Sequence, residues 1–176
     1  MTRAQQQGCP WDRYTCEYAA LGGHLDCLKF ARLHGCPWDK DTCAGAARYG
    51  HLEVLQWARA NECPCDHDVI TNAMEYGHLE LLKWAWGNGF RSDIPIVTCN
   101  FAATGGSLEV MKYAREVMHC PWDPYTLQTL ASGGRLDVMR WARANGCPWD
   151  GNVGHGAAHH GHFEAGADIR QLLSST

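Results

Sequence analysis

Between Lys40 and Ala60 the hydrophobic pattern of the chain changes once. In the first half, Cys43, Ala46 and Ala47 share one face at helical spacing, while Asp41, Ala44, Gly45 and Arg48 point the other way. This predicts a first helix with a thin, small-residue contact face and a free face. In the second half, Leu52, Val54, Leu55, Trp57 and Ala58 cover more than half of the circumference, too much for one neighbour. A second helix is therefore expected to be sandwiched. Asp39 stands at the N-cap of the first helix, and Gly50 supplies the left-handed residue that stops it. His51 reads as a turn residue, and Glu53 and Arg59 lie at the ends of the second helix that favour their charges.

The same two-helix pattern recurs along the whole chain. Cys-Pro-Trp-Asp or a variant begins at Cys9, Cys36, Cys63, Cys120 and Cys147, with Phe90 filling the series, at steps of 27, 27, 27, 30 and 27. The Gly-x-Leu-Glu/Asp landmark gives Leu25, Leu52, Leu79, Leu108, Leu136 and Phe163, at steps of 27, 27, 29, 28 and 27. Gly35, Gly89 and Gly146 mark the stops of second helices. Neither helix buries its apolar face alone, so neighbouring repeats are expected to stack. The prediction is one all-α domain over 1–176, with repeats at about 9–35, 36–62, 63–89, 90–119, 120–146 and 147–173.

In "TCAGAARYGHLEVLQWARANE" the residues Thr42, Ala46, Ala47, Gly50, His51, Leu52, Glu53, Val54 and Leu55 resemble the ankyrin repeat, as do Thr15, Ala19, Ala20, Gly23, His24 and Leu25. An ankyrin unit has about 33 residues. Here roughly six are missing, where that family builds its β-hairpin finger, and its Pro-Leu-His is replaced by Cys-x-x. The resemblance implies an ankyrin-like helix-turn-helix solenoid of about six repeats with shortened or absent fingers. Its wording is similar to that of short ankyrin-like arrays in giant viruses, amoebae, oomycetes and brown algae. A protein partner, and a host-cell cytoplasm if the chain is viral, are what that resemblance implies.

Composition narrows the picture. The 15 basic and 19 acidic residues argue against a basic nucleic-acid-binding face. No stretch approaches the ~20 apolar residues of a membrane span, and the N-terminus has no apolar signal core. A cytoplasmic or nuclear protein is expected. Most of the ten cysteines recur at equivalent repeat positions. Packed helices lie about 8–10 Å apart and a disulfide needs Cα atoms within about 7 Å. Bonds down a column are therefore not expected, and the thiols read as reduced, buried fillers.

The histidines His24, His51, His78 and His162 precede second helices and read as structural capping, and Trp11, Trp38, Trp122 and Trp149 as packing between repeats. Cys63, Cys65 and His67 lack the ligand spacing of a zinc site. His155 and His159 are four apart, enough for adventitious metal in a run that also holds His160 and His162. No catalytic set or phosphate-cradling loop is recognised. The reading is a non-enzyme without cofactor, metal or small-molecule substrate, and a monomer.

Function is expected where repeats differ while the frame stays constant. On the free face of the first helices those positions give Tyr14, Tyr18, Arg48, Asn72, Glu75, Asn100, Phe101, Tyr125 and Gln128 as partner contacts. Two other readings stay open: a metal- or redox-responsive Cys/His protein, and a non-functional fragment of a longer array, to which the irregular ends point.

Overall fold

The computed structural model describes residues 11–90 and 98–148. These residues form ten helices and no strand, so the fold is all-helical over the described part. The helices are α1 (Arg13–Leu21), α2 (Leu25–Leu33), α3 (Lys40–Arg48), α4 (Leu52–Ala60), α5 (Asp68–Glu75), α6 (Leu79–Gly87), α7 (Cys99–Gly105), α8 (Leu108–Glu116), α9 (Thr126–Ser132) and α10 (Leu136–Ala144). Among the described residues, no helix is long and apolar enough to cross a membrane.

The chain divides into two compact units, Met1–Ala73 with Glu80–Ser92 and Met74–Leu79 with Asp93–Thr176. In the first, α1 packs on α2 and α3 packs on α4, while the odd helices α1 and α3 also pack on each other. In the second, α7 and α8 pair, α9 and α10 pair, and the pairs meet through α7 with α9 and α8 with α10. The wide apolar face of each second helix is thus used: Val54, Leu55 and Ala58 of α4 and Val138, Met139 and Ala142 of α10 are buried.

Helix starts follow from local hydrogen bonding. The Asp12 carboxylate accepts from the Thr15 backbone N–H, Asp39 from Asp41, and the hydroxyl oxygens of Thr98 and Ser107 from Asn100 and Val110. Each satisfies an N–H that the first turn leaves without a partner. Stops are equally local. The His51 N–H bonds Ala46 O and the Cys36 N–H bonds Ala31 O, in each case across a left-handed glycine, Gly50 at φ 76° and Gly35 at φ 78°.

At the position equivalent to Gly35, the second repeat carries Glu62, held at φ 63°. A residue with a Cβ is disfavoured there by about 1–2 kcal/mol, and glycine gives back part of that gain through its freer unfolded chain. Glu62→Gly is expected to stabilise the protein by about 0.5–1 kcal/mol. The check is the urea midpoint, which should rise with an unchanged slope; a lower midpoint would contradict the reading.

The recurring words tie neighbouring repeats together. Cys36 Sγ donates to Asp12 O at 3.1 Å and Cys63 Sγ to Asp39 O at 3.4 Å, so these two Cys-Pro cysteines reach the capping aspartate of the previous repeat. Arg13 meets Asp39 at 3.5 Å and Lys40 meets Asp66 at 2.8 Å, two rungs of an ion-pair ladder that joins the first three repeats. Arg32 donates to Cys36 O, and Arg115 does the same to Cys120 O at 2.9 Å.

His51 is structural, through a bond between repeats. Its Nε2 lies 3.0 Å from Leu21 O, the last carbonyl of α1, and its side chain makes no bond to the start of α4. The ring covers Gly23 so closely that an added Cβ would lie 2.6 Å from it, and Gly23 sits at φ 71°. Only glycine suits that position.

Candidate functional site: the exposed face of the first helices

Of the proposed contacts in the first compact unit, Tyr14 and Tyr18 on α1 are 46% and 67% exposed. The Arg13 guanidinium donates to the Tyr14 hydroxyl at 3.1 Å and lies 4.9 Å from the ring centroid. That cation fixes the phenol against the surface without burying it. Arg48 is exposed at the end of α3, with its guanidinium 5.9 Å from the Tyr49 ring. Asn72 is half-buried on α5, and its amide donates to Asp68 O at 2.7 Å.

The expected free face of α3 needs one correction. Gly45 is buried, because Leu21 of α1 lies across it: a Cβ there would meet Leu21 Cγ at 3.1 Å. The sequence pattern places Gly45 beside Asp41, but a glycine leaves a notch into which a neighbouring side chain drops.

In the second compact unit, Tyr125 stands at the N-cap of α9 and is 64% exposed. Glu75, Phe101 and Gln128 are half-buried. Asn100 is engaged in packing, since its Oδ1 accepts from the Thr129 hydroxyl at 2.8 Å and so links α7 to α9. Tyr14, Tyr18, Tyr125 and Arg48 are thus the exposed ones of the nine residues, and the other five are half-buried.

The cysteines divide into three kinds. Cys43 and Cys65 form a disulfide with Cα atoms 5.6 Å apart, which corrects the expectation that all thiols are reduced. They occupy different repeat positions, one on the contact face of α3 and the other two residues after Cys63, so the bond runs across columns. The column argument does not reach such a pair. Cys16, Cys36, Cys63, Cys99, Cys120 and Cys147 are buried thiols, and Cys27 is the exposed one among the described residues.

Burial pushes the Cys16, Cys63 and Cys99 thiols up to about 12, with hydrogen bonding to Cys36 adding to the shift at Cys16; burial pushes Cys120 and Cys147 up to about 11. Thiolate is the reactive form. Cys36 is fully buried and Cys27 is exposed, so native protein is expected to be alkylated at Cys27 alone among these seven at neutral pH, as peptide mapping would read. The folded state holds protons that unfolded thiols release near 9.0, so stability contributed by these groups is complete below that pH. It should fall as pH rises through 11 to 12. Melting curves across that range check it, and a melting point that climbed there would contradict it.

Of the Cys63, Cys65 and His67 group, Cys65 is spent in the disulfide. Asp66, His67 and Asp68 bring donor atoms within 4.8 Å of one another, and the Lys40 ammonium lies 2.8 Å from Asp66 and 3.7 Å from Asp68. Burial pushes the Asp66 carboxyl up, but Lys40 and the Asp68 N–H outweigh it, and the net value is lowered. This cluster is the acidic rung of the ladder. His155, His159, His160, His162 and Trp149 lie outside the described residues.

Two features were not foreseen. The Cys-Pro-Trp tryptophans form mixed clusters: Trp38 meets Trp57 edge-on at 5.7 Å under Arg32 at 4.2 Å, and Trp122 meets Trp141 at 6.3 Å under Arg115 at 5.1 Å. The recurring Trp-Ala-Arg carries a signal, but pairing Trp57 and Trp141 with the Cys-Pro-Trp ring that opens their own repeat, under an arginine of the preceding second helix, needs the fold. The other is a pocket of about 220 Å³ lined by Arg59, Cys65, Asp66, His67, Gly89 and Phe90.

No family model matches the chain, and no curated protein matches it.

Proposed function

We propose that this chain is an ankyrin-like α-solenoid that acts as an interaction scaffold, holding a partner protein along the exposed side chains of its first helices. The observation that carries the reading is the exposure of Tyr18 and Tyr125, at 67% and 64%, on helices whose packing uses other positions. Exposed single aromatics are ordinary. Aromatics at the variable positions of a repeat whose frame is otherwise constant are the kind of anchor that interfaces use. The small-residue contact face, with Cys43, Ala46 and Ala47 fully buried, lets first helices approach closely and leaves their outer side chains to the surroundings. The scaffold reading includes no catalytic step.

The test compares wild type with Tyr14→Ala/Tyr18→Ala and with Tyr125→Ala in capture from lysate, after circular dichroism has shown that all are folded. A captured partner should then bind the purified variants at least about tenfold more weakly, the effect of losing roughly 1.4 kcal/mol at an anchor. Equal affinity for every variant would remove the proposed face.

A further inference from the structure

We propose that Cys65 is a site of reversible S-thiolation, at which a small carboxylate-bearing thiol enters the Arg59 pocket and exchanges with the Cys43–Cys65 disulfide. The inference starts from one departure in the repeat. In the second and fifth repeats the position two after the Cys-Pro cysteine holds Trp38 and Trp122, and each ring fills the space beneath the arginine of the preceding second helix. The third repeat has Cys65 there. The ring is missing, Arg59 lies over Phe90 at 5.3 Å instead, and the pocket of about 220 Å³ opens with Cys65 in its wall.

The two sulfurs are unequal. Cys43 has no exposed surface, whereas Cys65 is half-buried and lines the pocket. An incoming thiolate therefore reaches Cys65 Sγ. It forms a new S–S bond to Cys65 while the Cys65–Cys43 bond breaks, and the electron pair leaves on Cys43, which takes up a proton to become a thiol. One external thiol is oxidised and Cys43 is reduced, so the step needs no other reagent. Return attack by Cys43 on Cys65 expels the small thiol and restores the starting bond.

The pocket charges select the reagent. Asp66 is held by Lys40 at 2.8 Å, and His67 lies 3.3 Å from Asp68. Arg59 has no carboxylate partner among the described residues, which leaves its guanidinium to meet an anion at the mouth of the pocket. The nearby Cys63 is buried and its thiol is pushed up to about 12, so it supplies little thiolate at neutral pH. The attacking group has to come from outside.

The experiment uses the full chain, purified without reductant, and two probes: reduced glutathione, which carries carboxylates, and neutral 2-mercaptoethanol. Peptide mapping by mass spectrometry locates the adduct, and its formation rate is measured at equal thiolate concentration for wild type and Arg59→Gln. The expected result is a mixed disulfide on Cys65 with Cys43 as free thiol. The Arg59→Gln rate should fall about two- to fivefold for glutathione, the worth of one partly exposed ion pair, and stay unchanged for 2-mercaptoethanol. The neutral probe also reports any general loosening of the fold, because that would change both rates. An adduct on Cys43, no adduct, Cys43 and Cys65 isolated as free thiols, or rates that change alike for both probes would each overturn the proposal.

Discussion

Leu55→Ala is expected to lower the folding stability by about 2–5 kcal/mol. Leu55 has no exposed surface and lies between Val54 and Ala58 on the buried face of α4, which packs on α3. Removing its side-chain carbons loses their transfer out of water and leaves a cavity that close-packed neighbours refill only in part. Helix propensity does not offset this, because alanine improves on leucine by at most a few tenths of a kcal/mol. Leu33 provides the control. It also lies in a second helix but is 82% exposed, so Leu33→Ala should change stability by no more than about 0.5 kcal/mol. Urea denaturation of the two variants followed by circular dichroism separates them. Equal small losses would mean that α4 is not sandwiched.

Reduction of the Cys43–Cys65 bond is the second large effect. The two residues are separated by 22 positions, and releasing a loop of that length returns about 3 kcal/mol of chain entropy to the unfolded state. The loop runs from α3 through α4 to the segment before α5, so the second repeat should loosen first. Melting with and without a phosphine reductant reads the difference, and Cys43→Ala/Cys65→Ala should melt near the reduced wild type. Identical melts with and without reductant, with two extra thiols titrated in the reduced sample, would show that the crosslink contributes nothing. The alkylation pattern adds detail: if the second repeat opens, Cys63 and Cys36 should become labelled before Cys120 and Cys147.

These effects rest on features of unequal legibility. Asp39 was readable as an N-cap because its carboxylate needs only the next turn of its own chain, and Gly50 as a stop because a positive φ is a local demand. Cys43, Ala46 and Ala47 were readable as a contact face because helical spacing fixes which residues share a side. His51 was readable only in part. Its place before α4 is local, but its partner, Leu21 O, is thirty residues away, and nothing in the neighbouring sequence specifies that carbonyl. Gly45 was misplaced because the absence of a side chain carries no facing preference; Leu21 decides what fills the notch.

Of the candidate contacts, the exposed Tyr14, Tyr18 and Tyr125 needed only the periodicity to be set apart. Asn100 needed the fold, since its link to Thr129 joins two first helices.

By itself the sequence determined the period, the helix pairs, the Asp39 cap and, Gly45 apart, the residues that α3 turns inward, since hydrogen bonds within a turn and the 3.6-residue repeat act over a few residues. Only the tertiary structure decided which thiols are bonded, which arginine covers which ring, and where a missing tryptophan leaves a pocket. Those outcomes depend on distances between segments more than twenty residues apart, and a chain read one residue at a time carries no measure of such distances.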